Sequence, residues 1–434
     1  MSQHSEPGSQ LHQLDSELYM DCVHCGFCLP NCPTYLALGN EMDTPRGRIY
    51  LMREVFEGRM AITESFVKHM DLCLLCRNCE TACPSGVKFG FLMEAARENI
   101  EGHYHRPLPD RWFRSFILHS FTHVTILKVV MGLLRIYQRS GIQKVLRASG
   151  ALMLLGRLGE MESLLPTIPK SPHGLPEIMQ SRGKSQGRVG LLLGCVQRYL
   201  FPEVNRATAR VLNSAGYDIV VPGQQGCCGS LLVHEGGREQ AKTLARKTID
   251  VFESAGVDLI AVNAAGCGSV MKEYWQLLQD DPFYMKKAEA FSAKVRDVSE
   301  IVAGQNLTDS LEELNLTATY HSACHLAHGQ MVREEPRSLL RSIPGLNLME
   351  LEETEFCCGS AGIYNLLHPE LSQEILQRKI QRIKDTGAEV VVSGNPGCSL
   401  QLIKGLKQHR VNVSVVHPVE LMDRALGGKE GKGV

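Results

Sequence analysis

Cys22-Val-His-Cys25-Gly-Phe-Cys28-Leu-Pro-Asn-Cys32-Pro33 decides how the N-terminal part of this chain folds, and the chain writes it twice. The second copy is Cys73-Leu-Leu-Cys76-Arg-Asn-Cys79-Glu-Thr-Ala-Cys83-Pro84. Both fit C-x2-C-x2-C-x3-C-P without a gap or a substitution. Two-residue gaps let a tight loop present three thiolates to one face of a [4Fe-4S] cube. The fourth cysteine, followed by proline, turns away and ligates the other cluster. The spacing therefore predicts one cluster on Cys22, Cys25, Cys28 and Cys83, and a second on Cys73, Cys76, Cys79 and Cys32. Zinc also accepts four thiolates, but usually as two separated C-x2-C knuckles. The pattern points to electron transfer and is silent on which electrons are moved.

Outward from the two runs, the periodicity is helical. Thr44 suits an N-cap with Pro45 in the first turn, and Ile49, Met52, Val55 and Phe56 share a face until Gly58. Thr63 opens a second helix with Phe66, Val67, Met70 and Leu74 on one side, and Phe89 to Ile100 reads as a third. No alternating strand appears, so residues 17–105 are expected to form an α-helical ferredoxin-type domain whose apolar faces keep water off the clusters. Residues 1–16 read as a disordered lead-in. Arg46, Arg48, Arg77 and Lys88 flank the runs, where a cation would raise the potential of an anionic cluster or simply face solvent.

Residues 106–165 are helical and apolar. Phe116 to Leu134 nearly reaches the ~20 residues of a membrane span, but His119, Ser120, Thr122, His123, Thr125 and Lys128 interrupt it. An amphipathic helix buried against the domain or a partner is expected; an interfacial membrane helix near Arg135, Arg139, Lys144 and Arg147 is the alternative. Pro166, Pro169, Pro172 and Pro176 then mark a linker over residues 166–187.

The second half is a duplication read from its cysteines. Cys195, Cys227, Cys228 and Cys267 recur as Cys324, Cys357, Cys358 and Cys398, with the first members 129 positions apart. Repeat one spans 188–305 and repeat two 306–426, before a flexible tail at 427–434. Strands at Val189–Leu193, Tyr217–Val221, Leu259–Val262, Ala318–His321, Leu346–Leu351 and Val390–Val392 alternate with helices, which predicts α/β repeats with parallel sheets. Each thiol falls just past a strand's carboxyl end, where such sheets bind ligands. The four thiols of a copy can converge on one site or share a cleft with the other copy. A further metal cluster, a thiol-reactive site and a structural role remain open for them. His24, His234, His321, His325 and His328 lie near; His325, beside Cys324, is the one placed to ligate or hydrogen-bond a cofactor.

All 16 cysteines are thus assigned, in a chain of 434 residues with net charge −1 and 44% apolar residues. That balance gives no sequence-wide field to recruit nucleic acid. Met1 to Gln10 is polar without an apolar core, so no secretory leader is expected and the cytoplasm is the expected location. No glycine fingerprint opens a strand–helix unit, so no nucleotide is expected in this chain.

With these residues in hand, the chain resembles the iron–sulfur subunits of bacterial glycolate oxidase (glycolate dehydrogenase). The resemblance rests on the two cysteine runs, Pro45-Arg-Gly-Arg-Ile-Tyr-Leu51, Gly226-Cys-Cys-Gly229, Gly266-Cys-Gly268, Lys272-Glu-Tyr274 and Cys357-Cys-Gly-Ser-Ala-Gly362. The wider superfamily with paired CCG repeats includes lactate-utilisation iron–sulfur proteins and the CCG-bearing components of anaerobic glycerol-3-phosphate dehydrogenase and of heterodisulfide reductase. The resemblance implies that glycolate, and D-lactate as a second substrate, is oxidised on FAD in partner subunits. This chain would pass the electrons to a quinone or another membrane acceptor, from the cytoplasmic face of the inner membrane. It has no catalytic residue of its own in that scheme. The sequence departs from the heterodisulfide branch at Val270 and Gln401, where a C-x2-C would end each repeat. That leaves four thiolates per copy and counts against a disulfide-reducing enzyme at the CCG site.

Overall fold

Thr44 and Thr63 start the two helices expected between the cysteine runs. Thr44 Oγ1 accepts from the Gly47 N–H at the head of Pro45–Phe56, and Thr63 Oγ1 from the Phe66 N–H at the head of Glu64–Asp71. Each bond satisfies a donor that the first helical turn leaves free, worth about 1 kcal/mol. Gly58, at φ +71°, turns the chain off the first helix. The third helix runs Phe89–His103. Ile49, Met52, Val55, Phe66, Val67, Met70, Leu92 and Met93 join in one core that also includes Cys73 and Cys79. Leu74 corrects the expectation: it lies past the end of Glu64–Asp71 and packs with Cys357, Tyr364, Leu371 and Ile375 of the second half.

This computed structural model describes residues 17–150, 152, 159, 162, 165, 167–169, 174–181, 183–305, 307 and 310–428. The lead-in 1–16, Pro166, Pro172 and residues 429–434 lie outside the described residues. Among those described, no strand precedes Ile178, so the N-terminal unit is helical.

The apolar stretch is broken rather than continuous. Leu108–Thr122 and Val124–Arg139 meet at His123 with a bend of 99°. Thr122 Oγ1 donates to Leu118 O, and His123 Nδ1 lies 3.0 Å from His119 O, so polar side chains close the first helix where the sequence shows polar interruptions. No single helix among the described residues is long and apolar enough to cross a membrane; only the bent pair passes, by length and composition. Leu127 and Met131 are buried against Tyr199 and Leu200. Trp112, Phe116, Val129, Leu133 and Ile136 remain exposed, so one face of the pair is covered and the other is bare.

Two sheets follow. The first holds β1 (Ile178–Met179), β2 (Arg188–Leu191), β3 (Asp218–Val220), β4 (Leu259–Val262) and β5 (Val295–Asp297) in the order β1-β3-β2-β4-β5. Only β1 is antiparallel. The second holds β6 (Leu316–His321), β7 (Leu346–Met349), β8 (Val390–Ser393) and β9 (Ser414–Val416) in the order β7-β6-β8-β9, all parallel. Each copy is a β–α–β succession whose inner strands are largely buried, hence apolar runs such as Leu259–Val262 of β4 and Val390-Val-Val392 of β8. The two copies share one core: Val189 and Leu191 of β2 pack in the same cluster as Ala318, Tyr320, Val390 and Val392.

Candidate functional site

The eight N-terminal cysteines gather into the two crossed sets. Cys22, Cys25, Cys28 and Cys83 line one cavity, of about 410 Å³ with its open mouth included. Cys32, Cys73, Cys76 and Cys79 line a second, of about 310 Å³. Cys79 also borders the first, so the two lie side by side. Cys32, from the first run, therefore sits with the second run's triplet, and Cys83 with the first run's.

The fit of these loops to a compact cluster is written in the backbone. His24 (φ +54°) and Gly26 (φ +87°) are left-handed in the first run, and Leu75 (φ +50°) and Arg77 (φ +62°) occupy the same two positions of the second. An L-residue there costs about 1–2 kcal/mol, and such strain persists only where surroundings over-determine it. What it achieves is a tight coil with successive thiols turned inward. A Cβ at residue 26 would also lie 2.9 Å from Arg46 Nη1, so it would displace the end of that side chain. The Leu75 N–H donates to Cys73 Sγ at 3.4 Å, the kind of bond that stabilises a thiolate. Burial pushes the Cys28 thiol up to about 11, and Cys76 and Cys79 well above their ordinary range. A bound metal reverses that logic, since a coordinating thiol is deprotonated outright.

The flanking cations do not face solvent as a group. Arg48 is buried and bonds Thr34 Oγ1, the Asp43 carbonyl and carboxylate, and His69 O. Arg46 bonds Glu41 and the His24 carbonyl, clamping the first loop. Arg77 bonds Glu80 and, across 2.6 Å, Glu273 of the first repeat. Lys88 alone of the four is exposed. The three arginines brace the loops.

In the second half each copy forms its own site. Cys195 contacts Cys227, Cys227 contacts Cys228, and Cys228 contacts Cys267; Cys324, Cys357, Cys358 and Cys398 repeat the series. The hydrogen bond that Cys195 donates to Cys227, and then burial, raise the Cys195 thiol, as the bond to Cys357 and burial raise Cys324. Left-handed Gly229 (φ +83°) and Gly359 (φ +85°) turn the vicinal pairs inward, and their N–H groups donate to Cys227 and Cys357 Sγ at 3.4 Å. Val270 is packed in the core of copy one, and Gln401 bonds Asn365 and Ser372. Neither position offers a fifth thiol.

The copies dock on the N-terminal unit unequally. Copy two meets the second cysteine loop itself: Cys324 and Cys357 both act on Cys76, His325 Nε2 lies 2.9 Å from Leu75 O, and the Tyr364 hydroxyl donates to Leu72 O. His328 bonds Thr81 Oγ1 and Glu355 O. His325, the histidine picked from the sequence, is thus a brace tilted against His234, with ring centroids 4.6 Å apart. His24 is exposed. The histidine beside the thiols is His321, whose ligand atom lies within 4.8 Å of those of Cys358 and Cys398.

Three family models match: a 4Fe-4S dicluster domain over residues 19–87, the glycolate oxidase iron-sulfur subunit linker region over 109–165, and the cysteine-rich CCG domain over 189–272 and 318–403. The chain is 40% identical over 426 residues to a probable glycolate oxidase iron-sulfur subunit of Bacillus subtilis, covering 96% of each. It is 34% identical over 408 residues to the glycolate oxidase iron-sulfur subunit of Escherichia coli, covering 93% of each. Lactate utilization protein A of an Exiguobacterium species is 30% identical over 55% of this chain and 98% of its own length. Among solved structures, a hypothetical protein from Helicobacter pylori shares the fold at TM-score 0.55 and 9% identity, over 89% of this chain and 68% of its own.

Proposed function

The chain belongs to the glycolate oxidase iron–sulfur subunit family, and we propose that it is the electron-carrying subunit of a flavoprotein 2-hydroxy-acid dehydrogenase. In this reading FAD in partner subunits oxidises glycolate to glyoxylate, with D-lactate to pyruvate as a second reaction, and a quinone or other membrane acceptor receives the electrons. The observation that carries it is the crossed gathering of eight thiols into two adjoining sets. Cys22, Cys25, Cys28 and Cys83 would hold one [4Fe-4S] cluster and Cys32, Cys73, Cys76 and Cys79 the other. Such clusters supply reversible one-electron storage at potentials set by charge, hydrogen bonds and exposure.

The rest is done by this chain's residues. The left-handed positions aim the thiols, the Leu75 N–H bonds a sulfur, and the apolar core behind Cys73 and Cys79 excludes water. Val23 and Phe27 stand exposed beside exposed Cys25, which suits a redox partner's docking there. The bare face of Trp112, Phe116, Val129, Leu133 and Ile136 suits peripheral contact with the cytoplasmic face of a membrane. None of this needs bond chemistry in the chain.

The test is Cys79→Ser in the assembled complex. Acceptor reduction should disappear while glycolate still reduces the flavin. Loss of flavin reduction in a properly assembled complex would overturn the division of labour. Zinc in place of iron, in protein prepared without oxygen, would overturn electron transfer itself.

A further inference from the structure

The duplication leaves the two CCG sites chemically different. His321 ends β6 three residues before Cys324; the position three before Cys195 is Leu192, a buried core residue. His321 is 1% exposed, and neither ring nitrogen has a hydrogen-bond partner of ordinary geometry, although the Thr354 backbone lies close enough to act on the ring. A buried, unpaired imidazole costs free energy unless something accepts its lone pair or its proton. What stands within 4.8 Å is thiol sulfur, Cys358 and Cys398.

Two further residues separate the copies. Asn395 Nδ2 donates to Cys398 Sγ at 3.3 Å, where copy one has Ala264 three residues before Cys267. Lys379, 2% exposed, donates to the carbonyls of Glu353 and Thr354 behind the thiols. On the matching helix, Arg238–Ser254, the buried residues at that level are Thr248 and Ile249. Copy two thus has an imidazole, an amide donor and an ammonium beside its thiols; the buried lysine of copy one, Lys242, is instead paired with Glu239 and Asp280.

We propose that His321 is a metal ligand in copy two, completing with Cys324, Cys357, Cys358 and Cys398 a five-donor set for a polynuclear iron–sulfur centre. His321, Cys358 and Cys398 lie within 4.8 Å of one another, and Cys357 and Cys324 extend the series from Cys358; five donors so strung exceed what one tetrahedral zinc ion takes. Thiolate with imidazole suits iron–sulfur chemistry, and imidazole in place of thiolate raises the potential of such a centre. Asn395 and Lys379 act in the same direction, by donating to a sulfur and by offsetting negative charge. Copy one, with Leu192, has four thiols and no such donor. The inference deepens the electron-carrier reading, because Cys324 and Cys357 adjoin Cys76.

The experiment uses the full chain purified without oxygen, with iron and sulfide per chain and pulsed EPR of the reduced protein. The inference expects about twelve iron per chain and a strongly coupled nitrogen on one centre, replaced by its isotopic counterpart after 15N-histidine labelling. His321→Leu should lose that nitrogen and about four iron, while the spectra of the other two clusters persist and report a folded chain. His321→Cys should restore the iron without the nitrogen, at a lower potential. Iron and spectra unchanged in His321→Leu, or no directly bound nitrogen in the unaltered protein, would overturn the ligand assignment. About eight iron with no third signal would overturn it while leaving the two-cluster reading intact; absence of iron would overturn both.

Discussion

Replacing Arg77 by methionine tests whether the junction between the cysteine loops and the first repeat is held by one buried cation. The Arg77 guanidinium makes bonds of 3.0 and 3.1 Å to Glu80 and 2.6 Å to Glu273, and its side chain is 7% exposed. Deleting one partner of such a buried pair costs about 3–5 kcal/mol, because the remaining charge is left desolvated. The pH dependence gives the test its edge. Burial pushes Glu94 and Glu273 up to about 7, and Arg77 is the leading influence holding them down. The folded state therefore holds these protons more tightly than the unfolded chain. Their contribution is most favourable below about pH 4.5 and is lost as pH rises through about 7. Without Arg77 both carboxyls climb further, so the variant should lose most near pH 8 and clearly less near pH 6. Anaerobic urea unfolding of the iron-loaded chain at the two pH values reads this, as a shift of midpoint. Arg77→Lys should fall between, keeping the charge and losing the fork. Equal losses at both pH values, or none, would refute the reasoning.

Two further outcomes follow from the same structure. Gly359→Ala should destabilise more than Gly229→Ala: both pay about 1–2 kcal/mol for a left-handed φ, but the new Cβ sits 2.7 Å from Ser372 O at residue 359 and 3.5 Å from Ala241 at residue 229. Unfolding midpoints of the two variants, compared directly, check it, and equality would show that the Ser372 backbone yields freely. Trp112→Ser with Phe116→Ser should lower co-sedimentation with anionic lipid vesicles several-fold at unchanged iron content, since 74% and 60% of these side chains are already exposed and support no core; unchanged binding would remove that face from any membrane contact.

What was legible in the sequence is what short-range chemistry dictates. The crossed sets of eight thiols follow from two- and three-residue spacings, and Thr44–Pro45 and Thr63 mark helix starts because capping is local. Most parallel strands of the two sheets were readable from short apolar runs followed by cysteines, such as Leu259–Val262 and Val390–Val392. β1, β5 and β9 were not: at two or three residues, such as Val295-Arg-Asp297, they carry no usable alternation. The break at His123 was visible only as polar interruptions, since its 99° bend depends on side chains closing a helix end. The histidines show the sharper limit. Adjacency in sequence favoured His325, yet the residue after Cys324 turns toward Leu75 while His321, at the end of a strand, points among the thiols. Distance along a strand-to-helix turn is a poor guide to direction.

The unequal docking of the repeats bears on how a duplicated domain serves one electron path. Exposure falls along the thiol sets: Cys25 is exposed, Cys32, Cys73, Cys76 and Cys79 are buried, and Cys324 and Cys357 adjoin Cys76. Transfer between centres weakens steeply with separation, so under the proposed function the solvent end serves a partner and the buried end serves copy two. Copy one meets the N-terminal unit through other groups, Arg77 to Glu273 and Arg97 to the His234 carbonyl, each at 2.6 Å. Its contacts are those of a scaffold that fixes the cysteine loops against copy two. In this reading the two copies divide the labour: one has four thiols behind Leu192, while the other carries His321, Asn395 and Lys379 beside the loop from which an electron would arrive.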